Sequence, residues 1–127
     1  MSDRRQVEEL LRALHAARLE GSLERLCRLF SPEARLRIAG SSDGKPIAIA
    51  ARGSGEIRSW LSILVKTFRL SGYELHSLTI DGSRAAAHWR VDIHSKITGA
   101  LVPTELVDLI EVERGQIASY VEFFVPC

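Results

Sequence analysis

Four ionisable side chains alternate with apolar ones in the stretch His88-Trp-Arg-Val-Asp-Ile-His94. Successive side chains of a β-strand point to opposite faces, so the ionisable residues share one face. A second feature lies near the end of the chain, where Glu122 is the single carboxylate of a strand-like run, 117–125, that is apolar on both faces. A buried carboxylate is costly unless it is protonated, paired with a cation or placed at a cavity wall. We therefore expect Glu122 to be in one of these three situations.

Arg90 and Asp92 lie two residues apart, so they can reach a carboxylate on a neighbouring strand, and Glu122 fits as the third member of the group. Asp108 has compatible alternation and is a fourth candidate. Carboxylates coupled through one arginine can hold different protonation states, so that one acts as a base while the other donates a proton. This chemistry needs no cofactor. His88 and His94 lack a third ligand nearby in sequence, so no metal is expected either.

The alternative interpretation of the same residues is structural. Arg90 and Asp92 can be an internal ion pair that holds the sheet, with Glu122 bound to backbone or water. Perturbed carboxylates occur in structural networks as well as in active sites. The residues alone leave both interpretations open.

Hydrophobic periodicity indicates the elements that must position these groups. Three helices are predicted. The first covers 4–20, and the second is a short helix that is capped by Ser22, carries Phe30 and stops at 31–33. The third has Ser54 as its N-cap. The predicted strands are 34–39, 45–52, 73–80, 85–96, 102–112 and 117–125, with a turn at 40–44. This order predicts a single α+β domain over residues 1–127, with the helices on one face of a curved, mainly antiparallel sheet.

Several side chains are predicted to have ordinary roles. His15 lies one residue off the apolar stripe of the first helix, so we expect it at the helix edge or surface. Cys27 is expected to be a buried free thiol and Cys127 a terminal one. The glycines at 53 and 55 lack the Lys-Ser/Thr of a phosphate loop and indicate a helix entry instead.

Composition limits the classes of partner. The chain has 127 residues, 46% of them hydrophobic, and a net charge of +1, so neither nucleic acid nor a membrane surface is expected. The first ten residues are too charged for a signal peptide, which predicts a cytoplasmic protein. The last two strands are apolar on both sides, so we expect helices on one sheet face and another subunit on the other.

The chain resembles the nuclear-transport-factor-two-like superfamily, and within it the SnoaL-like proteins. The resemblance covers about residues 5–125 and depends on the order of elements, the helix entry Gly53-Ser-Gly-Glu-Ile57 and the ending Glu113-Arg-Gly-Gln-Ile-Ala-Ser-Tyr-Val-Glu-Phe-Phe124. It implies a cone-shaped half-barrel whose pocket lies between sheet and helices. It also implies a homodimer formed through the outer face of the sheet.

The resemblance implies roles for individual residues as well. Arg90-Val91-Asp92 matches the Arg-x-Asp pair of limonene-epoxide-hydrolase-like proteins, and Glu122 falls at their last-strand Asp. Asp108 matches the oxyanion-hole Asp of ketosteroid isomerases, whose general base falls at Ile38 and whose first-helix Tyr falls at Leu14. SnoaL-like cyclases use an acidic group on the last strand. The Tyr and Asn that hold the attacking water in the epoxide hydrolases fall at Leu36 and Ile38.

Two hypotheses follow. The first is a cofactor-free acid–base enzyme of hydrolase, isomerase or cyclase type, acting on a small apolar or amphipathic molecule, with Arg90, Asp92, Glu122 and Asp108 as catalytic groups. The second is a ligand-binding or dimeric assembly domain without catalysis. The residues predicted to line the pocket are His88, Tyr120, Phe124, Trp60, Leu14 and Ile38.

Overall fold

A computed structural model describes residues 3–42 and 44–127 of the chain. Its helices are α1 (Arg4–Glu20), α2 (Leu23–Arg28) and α3 (Gly53–Thr67). Its strands are β1 (Phe30–Ser42), β2 (Lys45–Arg52), β3 (Phe68–Asp81), β4 (Arg84–Ser95), β5 (Leu101–Glu113) and β6 (Gln116–Pro126). The predicted α+β class and the order of elements are confirmed.

The six strands form one curved, unclosed sheet in the order β2-β1-β6-β5-β4-β3. Only β1 and β6 are parallel neighbours among these pairs, and the others are antiparallel. The apolar core lies between the three helices and the concave face of the sheet, and it includes Leu11, Leu61, Trp89 and Ile110. One row of residues crosses four strands, pairing Ile38 with Glu122, Glu122 with Asp108 and Asp108 with Ala87.

Local signals set the ends of α1. The Asp3 side chain accepts a hydrogen bond from the Gln6 backbone N–H at 2.8 Å, which caps the first turn. Gly21 ends the helix with φ of 73°, a left-handed conformation that favours glycine, and its N–H donates to the Ala17 carbonyl. This end matches the predicted boundary of the helix.

The entry into α3 differs from the prediction. The helix begins at Gly53, and its N-cap is Arg52 rather than Ser54. The Glu56 side chain reaches back and accepts a hydrogen bond from the Arg52 backbone N–H at 2.9 Å. The carboxylate of Glu56 thus binds the backbone of the N-cap residue, while no side chain takes the role of N-cap hydrogen-bond acceptor that was predicted for Ser54.

The start of β1 also differs from the prediction. The short helix ends at Arg28, and Phe30 begins the strand, so Pro32 lies within β1. The pairing of β1 with β6 shifts between Phe30 and Arg35, and proline is tolerated at such an irregularity because no regular ladder bond is required there.

At its other end β1 extends to Ser42, which pairs with Lys45 of β2, so Gly40 lies in the strand rather than in the predicted turn. Asp43, from the same predicted turn, lies outside the described residues. An added Cβ at Gly40 would lie 2.4 Å from the Phe124 carbonyl oxygen, so glycine permits the close approach of β1 to β6.

The convex face of the sheet carries large apolar side chains that remain exposed in the single chain. Leu109, Phe123 and Val125 are 42%, 41% and 53% exposed. This is the face for which a second subunit was predicted, and no partner chain is part of the structure. In the part of the chain that the structure describes, no helix is long and apolar enough to cross a membrane.

Candidate active site

The predicted group of Arg90, Asp92 and Glu122 is not formed, and this prediction was wrong. Asp108 pairs with both Ala87 and Glu122 across the sheet, and Trp89 and Val91 share the buried face of β4 with Ala87. Residues 88, 90, 92 and 94 therefore point to the opposite, convex face. Arg90 and Asp92 therefore lie on the face of the sheet opposite to Glu122, the carboxylate that they were predicted to contact.

Arg90 and Asp92 instead interact with each other on the convex face. Arg90 Nη1 lies 3.6 Å from Asp92 Oδ1, and their side chains are 35% and 27% exposed. His88, predicted to line the pocket, lies on the same face with Nε2 3.5 Å from a Glu105 carboxylate oxygen. Partly exposed ion pairs of this kind contribute little stability.

Glu122 points to the concave face, where its cation comes from α1. One carboxylate oxygen of Glu122 accepts hydrogen bonds from the Arg18 guanidinium and from the Tyr120 hydroxyl. Arg18 also donates to the Tyr120 hydroxyl oxygen at 2.8 Å, and its guanidinium carbon lies 5.4 Å from the centre of the Trp89 ring. The expectation that Glu122 pairs with a cation is met, but the cation is Arg18.

Asp108 is the second carboxyl group of this site. It is fully buried, and Oδ2 lies 3.2 Å from the Tyr120 hydroxyl and 2.8 Å from Nε2 of His15. Nδ1 of His15 in turn lies 2.7 Å from the hydroxyl of Tyr73, a half-buried residue of β3. A chain of close polar contacts thus connects Glu122, through Tyr120, Asp108 and His15, to Tyr73, and the single hydroxyl hydrogen of Tyr120 goes either to Glu122 or to Asp108.

Burial changes the protonation of these groups. It raises the pKa of Glu122 to about 8, an effect that Arg18 opposes and the neighbouring Asp108 reinforces. Burial also raises the pKa of Asp108. Burial, with the positive charge of Arg18, lowers the pKa of His15 to about 3, so its imidazole is neutral at pH 7. The residues of this group (Arg18, Glu122, Tyr120, Asp108, His15 and Tyr73) form the buried cluster. When the two carboxyl groups hold one proton between them, the positive charge of Arg18 balances the negative charge of the remaining carboxylate, so the cluster has no net charge.

Arg18 and Glu122 of this cluster line a cavity of about 530 Å³. Among the described residues that line this cavity, Arg18 and Glu122 are the two with ionisable side chains. The remaining lining is mostly apolar and comes from α2, α3, all six strands and the connection between β4 and β5. Three of the predicted pocket residues line it, namely Ile38, Trp60 and Phe124.

The other predicted pocket residues lie elsewhere. Leu14 and Tyr120 are buried in the core next to the cavity and do not line it, and His88 is on the convex face. Asp108 likewise lies behind Glu122 and Tyr120, without a share of the cavity wall. Glu122 is therefore the carboxyl group that a molecule in the cavity can reach.

Three members of the site were not predicted from the sequence: Arg18, His15 and Tyr73. A signal for two of them existed in α1, where Val7, Leu11, His15 and Arg18 follow one another at intervals of three or four residues. His15 is buried, contrary to the predicted surface position, because this stripe faces the sheet. Tyr73 had no such signal, since its role depends on how α1 packs against β3.

The arrangement can transfer a proton at the cavity wall. A carboxyl group with a pKa near neutral acts as an acid in its protonated form and as a base in its ionised form. Arg18 stabilises the ionised form of Glu122 by direct contact. No three His, Cys, Asp or Glu side chains form a metal-ligating group within residues 3–42 and 44–127.

Comparisons with known proteins agree with the fold. The sequence model of the SnoaL-like domain matches residues 7–120, which confirms the resemblance seen in the sequence. No curated protein matches the chain significantly. Among solved structures, a proposed isomerase from Bacillus subtilis has a TM-score of 0.81 and 22% identity, covering 98% of this chain and 89% of the other.

Two further structures have named reactions. SalBIII, an epoxide hydrolase/cyclase-like enzyme in pyran ring formation in the polyether salinomycin, has a TM-score of 0.78 and 19% identity, covering 98% of this chain and 94% of its own. An LEH-like epoxide hydrolase from M. tuberculosis has a TM-score of 0.73 and 12% identity, covering 94% and 83%. At these identities the similarity is one of fold.

Proposed function

The chain belongs to the SnoaL-like family, and we propose that it is a cofactor-free acid–base enzyme acting on a small, mostly apolar molecule in the 530 Å³ cavity. Glu122 transfers the proton, and Arg18 stabilises the carboxylate that forms when Glu122 gives its proton away. The observation that carries this proposal is the placement of Arg18 and Glu122 as the two ionisable side chains in an otherwise mostly apolar lining.

The chemistry follows from the contacts of Glu122. In its protonated form, Glu122 donates its proton to an oxygen atom of the bound molecule, such as an epoxide or carbonyl oxygen. The carboxylate left behind accepts hydrogen bonds from Arg18 and Tyr120, which lowers the free energy of the state after transfer. In the reverse direction the same carboxylate removes a proton from a carbon acid or a water molecule. Positioned acid–base groups of this kind accelerate reactions roughly 10²–10⁴-fold.

The substrate class follows from the cavity. The apolar lining favours a hydrocarbon body, and the single pair of ionisable side chains favours one oxygen function placed next to Glu122. Hydrolysis, isomerisation and ring closure all start from such a proton transfer. The similar structures described as a proposed isomerase, an epoxide hydrolase and a cyclase-like enzyme support this range.

A compound screen tests the proposal. Wild type, Glu122→Gln and the matched control Glu105→Gln, an exposed carboxylate of the convex face, are incubated with small apolar epoxides, ketones and lactones. Binding is read from the rise in melting temperature, since a ligand that binds only the folded state stabilises it. Turnover is read by mass spectrometry or chiral chromatography.

We expect at least one compound to be converted by wild type and by Glu105→Gln, and converted about 10²–10⁴-fold more slowly by Glu122→Gln. Binding should persist in Glu122→Gln because the amide keeps the shape of the side chain. Equal turnover by wild type and Glu122→Gln would refute the role of Glu122.

The second candidate function is ligand binding without catalysis. It is favoured by the hydrogen bonds that already occupy Glu122, and by the hydrocarbon side chains of Leu14, Leu36 and Ile38 at positions where related enzymes have polar groups. In that case the screen gives compounds that bind wild type and Glu122→Gln without being converted by either.

We also propose that the protein is a homodimer through its convex sheet face. The support is the exposed apolar patch of Leu109, Phe123 and Val125, beside which Arg37 lies 5.5 Å from the ring centre of Phe123. Sedimentation velocity should give a dimer for wild type and a monomer for Phe123→Lys, whereas a monomeric wild type would contradict this proposal.

A further inference from the structure

His15 and Tyr73 occupy a place in the cluster that the proposed reaction does not use directly. Neither residue lines the cavity, and their contact with Glu122 is indirect, through Asp108 and Tyr120. Histidine with both ring nitrogens hydrogen bonded inside a protein core is an unusual element of apolar packing. The proposed reaction therefore assigns no role to the imidazole of His15.

The donor and acceptor sides of His15 are assigned from the chemistry of its two partners, because the distances themselves fit either tautomer. A neutral imidazole has one N–H and one bare nitrogen, so it donates at one nitrogen and accepts at the other. Tyr73 has a hydroxyl hydrogen to give to Nδ1, 2.7 Å away, and burial raises the pKa of this phenol, which keeps it protonated. With Nδ1 as the acceptor, Nε2 carries the hydrogen and donates it to Asp108 Oδ2 at 2.8 Å.

This donation acts on the carboxyl group that the cavity does not reach. A hydrogen bond donated to a carboxylate stabilises its ionised form. If the two carboxyl groups hold one proton between them, a donor directed at Asp108 favours the negative charge on Asp108 and the proton on Glu122. A proton on Asp108 would be of no use for a molecule in the cavity, because Asp108 does not line it.

We infer that His15 and Tyr73 are positioning residues, which hold Asp108 as the ionised member of the buried carboxyl pair so that the shared proton resides on Glu122 at the cavity wall. This inference rests on the proposed acid role of Glu122 and adds the residues that keep it in the protonated form. It also explains why a titratable side chain on α1 is buried against the sheet rather than exposed.

Other charged groups near His15 raise or lower its pKa. From α1, Arg12 and Arg18 both disfavour a positive charge on His15 and so keep it neutral. Glu122 on β6 has the opposite effect on His15, and burial outweighs it. From β4, the Trp89 ring stacks beside the imidazole with centres 4.3 Å apart and brings no charge.

The test is the pH titration of Glu122 by carbon-13 NMR of glutamate labelled at the side-chain carboxyl, with the signal assigned by Glu122→Gln. Four proteins are compared with wild type: His15→Leu, His15→Gln, Tyr73→Phe and, as a control on the convex face, His88→Leu. His15→Gln keeps an N–H donor near Asp108, whereas His15→Leu removes it. Tyr73→Phe changes a half-buried hydroxyl and leaves His15 in place, so it remains informative if His15→Leu does not fold.

In wild type and His88→Leu we expect Glu122 to titrate near pH 8. In His15→Leu the midpoint should fall by about one pH unit or more, because Asp108 then competes for the proton. Tyr73→Phe should give a smaller fall, and His15→Gln should stay closer to wild type than His15→Leu does. This ordering would not arise from a loss of packing alone.

Two results overturn the inference in different ways. In the first, the titration midpoint of Glu122 is raised in wild type and is the same in Tyr73→Phe and in each His15 variant that folds. His15 and Tyr73 would then only fill space, and the acid role of Glu122 would stand. A wild-type Glu122 that titrates below pH 5 would remove the proposed function itself, and the inference with it.

Discussion

The two faces of one sheet carry similar ionisable groups in very different surroundings. On the convex face Arg90 and Asp92 lie 3.6 Å apart with about a third of each side chain exposed. On the concave face Arg18 and Glu122 are in direct contact, with 13% and 3% of their side chains exposed. Water screens the first pair and is largely excluded from the second, so an arginine–carboxylate contact affects stability much more on the concave face than on the convex face.

This difference identifies the concave group as the candidate site. Its carboxyl groups are close to each other, to one arginine and to an apolar cavity, and burial raises the pKa of both. Perturbed carboxyl groups in a cleft are a recognised property of functional sites. The convex group has the spacing that first suggested catalysis, but it lies outside the cavity.

The largest contrast between the faces is expected from removing each arginine. Arg18→Met leaves two buried carboxyl groups without their cation and should lower the free energy of unfolding at pH 8 by about 3–5 kcal/mol. Arg90→Met, its match on the convex face, should cost less than about 1 kcal/mol. Urea unfolding followed by circular dichroism measures both, and equal losses would contradict the contrast.

Protonation should moderate the first of these losses. Near pH 5 the carboxyl groups around Arg18 can take up protons, which removes the unpaired negative charge. The loss caused by Arg18→Met should therefore be smaller at pH 5 than at pH 8. A loss that does not depend on pH would show that Arg18 acts through packing alone.

A smaller effect is expected where the concave face is tightly packed. Gly40→Ala places a methyl group 2.4 Å from the Phe124 carbonyl oxygen and 2.6 Å from its ring, so β1 and β6 must move apart. Overpacking of this kind costs about 1–3 kcal/mol, and it should also reduce ligand affinity because Phe124 lines the cavity.

Gly55→Ala is the matched control for Gly40→Ala, because an added Cβ at Gly55 meets nothing within 4 Å. Urea unfolding should show little change for Gly55→Ala, or a slight gain, since alanine has the higher helix propensity. Similar losses of unfolding free energy in the two variants would show that the contact with Phe124 is not the cause of the loss in Gly40→Ala.

After the arginine and glycine substitutions, the third and smallest expected effect is the pH dependence of the unfolding free energy. Glu122 has a folded-state pKa of about 8 and an ordinary value of 4.5, so between these values the folded state holds the extra proton. Its contribution is therefore present below pH 4.5 and is lost as the pH rises through 8. His15, lowered from 6.5 to about 3, has the opposite slope and loses stability as the pH falls below 6.5.

The two slopes oppose each other from pH 4.5 to 6.5, so the window from pH 6.5 to 8 separates the effect of Glu122 from that of His15. There we expect the unfolding free energy to fall with pH by at most about 1.4 kcal/mol per pH unit. Glu122→Gln should flatten this slope, and Glu105→Gln on the convex face should leave it unchanged. A slope that persists in Glu122→Gln would assign it to another group.

Most of the fold could be predicted from the sequence because it depends on local periodicity. The stripe of α1 and the alternation of β4 each indicate an element without reference to the rest of the chain. The errors lie at element boundaries, where two local signals compete. At the start of α3, for example, the N-cap is Arg52 rather than Ser54, and Glu56 accepts a hydrogen bond from the Arg52 backbone N–H.

The site could be predicted only in part because it depends on which strand faces are buried. Alternation shows that Arg90 and Asp92 share a face, but it does not say which face the helices cover. Glu122 and Asp108 were identified because carboxylates on apolar strands are exceptional. Arg18 and His15 were not, because a charged or imidazole side chain in a helical stripe usually lies at its edge.

The central claim is that Glu122 holds a proton at the wall of an apolar cavity at neutral pH. Infrared difference spectroscopy tests it directly, because a protonated carboxyl group has a C=O stretching band that a carboxylate lacks. At pH 7 the difference between wild type and Glu122→Gln should contain this band, shifted in D₂O and lost above about pH 9. A wild-type spectrum at pH 7 identical in this region to that of Glu122→Gln would contradict the account.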